Sequence, residues 1–118
     1  MLDRHEELKR RTEQFAIRIV KAYRRLPRAE EARVIGRQLL RSGTSVVANY
    51  RAAGRSRSRA EFVAKMGVVV EEADETVFWI ELLIESGIVR REQAAGLLGE
   101  AGELLAIFAA SQRTAKKT

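Results

Sequence analysis

Four times along this chain, apolar and small residues recur at alternating steps of four and three. That spacing traces one side of a helix, and a side kept free of charge must face another helix. The second occurrence is the most instructive: Ile35, Leu39, Ser42, Val46, Asn49 and Ala53. Ser42 and Asn49 are polar, two turns apart, and on the side that turns inward. A buried polar pair costs desolvation unless it is partnered. The pattern therefore predicts that Asn49, with Ser42 or Ser45, bonds a carboxylate of a facing helix. Glu75 is the first choice, with Glu72 one turn away and Arg41 nearby.

The first seam reads Leu8, Thr12, Phe15, Ile19, Ala22, Leu26, with Ile17, Val20 and Tyr23 as a second flank. The third reads Phe62, Met66, Val69, Ala73, Thr76, Ile80, Leu83, and the fourth carries Ala94, Leu97, Leu98, Ala101, Leu104, Leu105 and Phe108. The predicted helices span about 3–25, 28–53, 58–86 and 90–112, starting at Asp3 and leaving 113–118 as a frayed tail. Pro27 ends the first helix or opens the second. Gly54 suits a left-handed stop. Ser58 followed by Glu61 fits a capping box for the third helix, which Gly87 ends. Four such helices on short connections fold back antiparallel. The expected fold is all-α: one up-down-up-down four-helix bundle over residues 1–118. Leu40, Val47, Val63, Val70 and Val77 widen the apolar stripes. They read either as a broad core face or as a subunit interface.

Absence of cysteine excludes a disulfide framework, a thiol nucleophile and a cysteine metal site. No apolar run has the length of a membrane span, and the charged start MLDRHEELKRR does not read as a signal peptide. A cytoplasmic protein with no membrane partner is the expectation. The net charge of +6 is unevenly spread. Residues 1–60 carry a net +10, residues 61–87 a net −6 and residues 88–118 a net +2. Basic surface favours polyanions.

Bundle topology brings the start of the chain, the second connection and the end of the chain to one pole. That pole collects Lys9, Arg10, Arg11, Arg51, Arg55, Arg57, Arg59, Lys116 and Lys117, the candidate nucleic-acid contacts, together with Arg4 and Arg113. The opposite pole holds Arg24, Arg25, Arg28, Arg90 and Arg91. Arginines interleaved with serines from Arg51 to Arg59 suit phosphate. The other reading of that loop is a solvated surface that keeps the protein in solution.

Candidate catalytic groups are sparse. His5 is the single histidine, too few for a di-iron bundle and set in a charged turn away from any nucleophile. Glu72 with Glu75, and Glu100 with Glu103, repeat a Glu-x-x-Glu spacing that can hold Mg²⁺, as in all-α nucleotide pyrophosphohydrolases. The competing reading pairs Glu72 and Glu75 with Arg41, Ser42, Ser45 or Asn49 across the core. Trp79 is expected at the edge of the core with its N–H bonded. No cofactor or metal site is expected.

Gln38, Arg41, Ser42, Ser45, Val46, Asn49 and Gly54, then Phe62 and the run from Glu72 to Trp79, resemble a known family over about residues 8–112. These are the four-helix-bundle proteins encoded in intervening sequences of bacterial large-subunit ribosomal RNA genes, whose fold is shared by the accessory proteins of diversity-generating retroelements. The resemblance implies a ring-like homopentamer. In the retroelement branch it implies nucleic-acid binding beside a reverse transcriptase. Where the family carries an acidic residue ahead of the glycine, this chain has Ala53. Together these features predict a non-enzymatic homo-oligomer that binds RNA or DNA through its basic pole. The alternatives are a scaffolding oligomer without nucleic acid and a Mg²⁺-dependent nucleotide hydrolase using Glu72, Glu75, Glu100 and Glu103.

Overall fold

A computed structural model describes residues 4–117. Four helices follow one another: α1 (Arg4–Arg24), α2 (Glu30–Ala53), α3 (Arg59–Glu85) and α4 (Arg91–Lys117). Each packs on the two next to it around the bundle, and α1 and α4 meet over the shortest stretch. The antiparallel four-helix bundle follows from the seams. Thr12, Phe15 and Ile19 of α1, Leu39, Ser42, Val46 and Ala53 of α2, Met66 through Leu83 of α3, and Ala101, Leu104 and Phe108 of α4 are buried where the alternating steps put them. Asp3, the expected first helical residue, lies outside the described residues.

The helix ends show local causes. Leu26 precedes Pro27, whose ring disfavours a helical residue before it, and α1 closes with two tight turns, Arg25 N–H to Ala22 O and Leu26 N–H to Tyr23 O. Pro27 therefore ends α1 and does not open α2, which starts at Glu30 behind Ala29. Ser58 caps α3 by accepting from the Glu61 N–H at 3.1 Å. Gly87 stands at φ +78, the left-handed position that glycine occupies without strain. Gly54 does not: it keeps right-handed helical dihedrals, with its N–H bonded to Tyr50 O. The tail is also not frayed. α4 runs to Lys117, because Gln112 Nε2 donates to Val63 O at 3.1 Å and ties its last turns to the start of α3. Lys116 and Lys117 then complement the negative end of the helix dipole. By length and mean hydropathy, α4 is long and apolar enough to cross a membrane. Its Leu104 and Phe108 are instead spent on the core of the bundle.

The buried face of α2 is wider than its seam. Ala32, Gly36, Gly43 and Tyr50 are buried beside it, the last three facing Tyr23, Ile19 and His5 of α1. This turns the face away from Asn49, which sits at the margin and donates from Nδ2 to the Ser45 carbonyl at 2.9 Å on its own helix. The expected Asn49–Glu75 bond does not form. The polar pair that crosses the core is Ser42 with Thr76, hydroxyl to hydroxyl at 3.0 Å. Thr76 also lies 2.8 Å from the Glu72 carbonyl and Ser42 lies 3.4 Å from the Leu39 carbonyl. Two protons thus have three acceptors, and both are used whichever way the central bond points.

The anticipated extra flank is mostly core: Leu40, Val70 and Val77 pack against it. The large apolar residues that stay exposed are Ile17, Val34, Val68 and Phe78. Phe78 stands edge-on to Trp79, with ring centroids 4.8 Å apart. The Trp79 indole N–H is buried without a partner among the described residues, contrary to the expected bond.

A Cβ added at Gly43 would lie 2.8 Å from Ile19 Cγ1 and 2.9 Å from its Cγ2, atoms fixed in the core. At Gly36 it would meet the Leu26 side-chain end at 2.5 Å, which can swing aside, and the Tyr23 ring at 3.2 Å. Gly43→Ala is expected to destabilise the fold by about 1–2 kcal/mol, overpacking outweighing a better helix propensity. Gly36→Ala should cost less, because the nearest atom is the far end of a side chain. Urea unfolding of the two variants checks the difference; equal midpoints would show that α1 has room to move.

Candidate nucleic-acid interface

Both Glu-x-x-Glu pairs, Glu72 with Glu75 on α3 and Glu100 with Glu103 on α4, are occupied. Arg41 of α2 reaches across to α3, placing Nη1 3.1 Å from Glu72 and Nη2 2.8 Å from Glu75. Arg11 of α1 reaches across to α4. Its Nε and Nη2 each lie 2.7 Å from an oxygen of Glu100, and Nη2 is 2.9 Å from Glu103. Each Glu-x-x-Glu pair therefore grips an arginine, and the four carboxylates do not converge. No group of three or more metal-ligating side chains forms among the described residues.

Hydrogen bonds donated to Glu100, then to Glu103, push the Arg11 guanidinium above its ordinary range, against a smaller desolvation cost. The same contact holds the Glu100 carboxyl below its usual value. Arg11 therefore leaves the expected set of nucleic-acid contacts, because its charge is matched by two carboxylates through Nε and Nη2.

The other expected contacts are free of ion pairs. Among the described residues only Arg11, Arg41, Lys65 and Arg91 are bridged to acids. Lys9, Arg10, Arg51, Arg55, Arg57, Arg59, Lys116 and Lys117 are not. Antiparallel packing brings most of these to one pole. Lys9 on α1 shares a recess with Arg51 and Arg55 at the end of α2. Arg57 lies in the connection to α3, Arg59 opens α3, and Lys116 and Lys117 close α4. Arg10 points along the side of α1, lining a recess with Arg18 and Glu100.

His5 and Tyr50 belong to this pole and were not legible as functional residues. His5 Nδ1 is 3.2 Å from the Tyr50 hydroxyl. Tyr50 in turn packs on Phe108, with centroids 5.3 Å apart. Burial first, and the charge of Glu6 second, raise the Tyr50 phenol above its ordinary pKa, so it stays a donor. The signal available was heptad arithmetic: Tyr50 follows Gly36 and Gly43 at steps of seven.

Such a fold, with carboxylates locked on arginines and a cationic pole left open, defines a basic helical-bundle protein. The chain belongs to the 23S rRNA-intervening sequence protein family, whose model matches residues 4–110. It is also similar to a solved protein of unknown function from the S23 ribosomal protein family of Bacteroides thetaiotaomicron. The two are 35% identical and superpose with a TM-score of 0.85, over 92% of this chain and 97% of that one. No curated protein matches the sequence.

Arg11 is one-third exposed and Glu100 less so, which leaves their pairing only partly screened. Glu100→Gln is expected to cost about 1–2 kcal/mol at pH 7. Because the carboxyl pKa is depressed on folding, this stabilisation is present above the unfolded value and is lost as pH falls through the folded one. The gap between parent and variant should thus close below about pH 4. Denaturant titrations at pH 7 and pH 3 test this, and an unchanged gap would mean the bridge does not form in solution.

Proposed function

We propose that this protein acts by binding, without catalysis: a homo-oligomer that holds RNA or DNA against its basic pole, as an accessory to a nucleic-acid-processing enzyme. One observation carries the reading. Arginines facing α3 and α4 acids are neutralised, while those at the pole have no acid partner among the described residues. Unpaired arginines and lysines on several elements form a phosphate-contacting surface, and no base-reading element accompanies them. The arginine grip on both glutamate pairs argues against a Mg²⁺-dependent hydrolase.

Self-association is supported by the outer face of α2 and α3. The bridges from Arg41 to Glu72 and Glu75 set the register between these helices. Val34 lies two turns before Arg41 and Phe78 about one turn past Glu75, so the antiparallel register carries both the same way along the face. Phe78 is 52% exposed, and Trp79 beside it has an unpaired N–H. A second copy would cover Phe78, and the family resemblance makes five copies the expected number. Light scattering should give several times 13.3 kDa, and Phe78→Glu should lower that mass. A parent monomer at micromolar concentration refutes the oligomer.

For nucleic acid, the logarithm of affinity should fall linearly with the logarithm of salt, by roughly 0.7–0.9 per phosphate contacted. The triple variant Arg55→Ala, Arg57→Ala, Arg59→Ala should flatten that slope without lowering the melting temperature. Fluorescence anisotropy with labelled RNA and DNA measures it. No binding at low salt would leave the scaffolding oligomer as the function.

A further inference from the structure

At the basic pole, side chains from two helices close around a small recess. His5 and Lys9, four residues apart on α1, form one wall. Tyr50, Arg51, Gly54 and Arg55, at the end of α2 and just beyond, form the other. Its volume is about 120 Å³. That is well below the roughly 300 Å³ at which pockets begin to enclose a drug-sized molecule, and it leaves room for a single phosphate group.

The recess is built, not merely bounded. The His5 ring is fixed by its Nδ1 contact with Tyr50 and lies 5.8 Å from the Tyr50 ring. Tyr50 is buried against Phe108, a core residue. A Cβ at Gly54 would stand 3.4 Å from His5 Nε2, so Nε2 borders the space that Gly54 leaves empty. When the Tyr50 hydroxyl donates to Nδ1, the neutral imidazole carries its proton on Nε2. In the charged imidazolium both nitrogens carry one. In both of these forms an N–H faces the recess; in the other neutral tautomer Nδ1 donates to the Tyr50 oxygen and Nε2 is an acceptor. Lys9, Arg51 and Arg55 are free of ion pairs among the described residues. Glu6, next to His5, supplies the nearest negative charge acting on Tyr50.

Resting on the nucleic-acid reading above, we propose that this recess seats the terminal phosphate of an RNA or DNA strand, held by His5 Nε2, Lys9, Arg51 and Arg55. An internal phosphodiester carries one charge and has chain on both sides. A terminal phosphomonoester carries about −1.5 to −2 at pH 7 and three acceptor oxygens. Three cations without ion pairs around a small, half-open recess favour the second: more charge is matched, and only one side needs an exit. The two arginines can grip oxygens in bidentate fashion. The seat also gives the pole a polarity that a plain basic surface lacks, because one end of a strand is fixed while the rest follows Arg57 and Arg59.

The test uses the full chain and one labelled oligonucleotide bearing a 5′-phosphate, a 3′-phosphate or hydroxyls at both ends. Fluorescence anisotropy at constant salt should show one phosphorylated end bound about tenfold more tightly than the hydroxyl end, as one added charge-assisted contact set implies. Inorganic phosphate, at matched ionic strength against chloride, should erase that preference. His5→Ala removes the Nε2 donor and Gly54→Val fills the recess. In both, with folding checked by circular dichroism and melting, the ratio between ends should fall to one. Equal binding of all three ends by the parent overturns the seat while leaving the basic-pole reading intact. A preference that survives both variants overturns it too, by locating the strand end elsewhere. If inorganic phosphate stabilises the parent but no end preference exists, the recess holds free phosphate and the strand-end proposal is wrong. Failure to bind any oligonucleotide removes both readings.

Discussion

At Gly43 the space a methyl group would need is already taken by Ile19. That contact lets α1 approach α2, and the rest of the bundle is arranged around it. α2 buries a broad face, with Ala32, Gly36, Gly43 and Tyr50 toward α1, while Ser42 meets Thr76 of α3. Close approach brings the apolar layers into van der Waals contact, where many small dispersion gains add up. It also excludes water from the Ser42–Thr76 pair, so the pair must be satisfied within the protein, and it is.

Charge is distributed by the same geometry. Arg11 and Arg41 each stand where one helix faces its neighbour, and each meets two glutamates one turn apart. These bridges hold α1 to α4 and α2 to α3 at the surface, with modest gains expected for partly exposed pairs. Their larger consequence is selective. Glu72 and Glu75 of α3 and Glu100 and Glu103 of α4 are held by arginines along the sides of the bundle, while the lysines and arginines gathered at its pole form no ion pair among the described residues. An evenly mixed surface would have no such pole. The basic face follows from where the acids are, as much as from where the arginines are.

Helix seams, the antiparallel order and the cap at Ser58 were legible in the residues, because alternating four-and-three spacing and a serine three residues before a glutamate each have one local physical meaning. The polar core was read less well. Asn49 and Tyr50 are neighbours, and spacing alone put Asn49 inside. α2 turns Gly36, Gly43 and Tyr50 inward together, which gives Tyr50 the buried place and leaves Asn49 bonding its own helix. Similarly, Lys116 and Lys117 read as a loose end until Gln112 is seen holding α4 to Val63.

What the amino-acid sequence by itself determined is the periodicity of burial, and with it four helices, their order and the pole at which the basic residues gather. These depend on short-range spacing and on connections too short to allow another route. What only the tertiary structure decided is which charges are spent and which are free. Arg11 and Arg10 are adjacent, yet one is locked on Glu100 and Glu103 and the other makes no ion pair among the described residues. His5 and Tyr50, 45 residues apart, border one recess with Lys9, Arg51 and Arg55. Coulomb and hydrogen-bond energies depend on distances of a few ångströms, and those distances do not exist until the helices have packed.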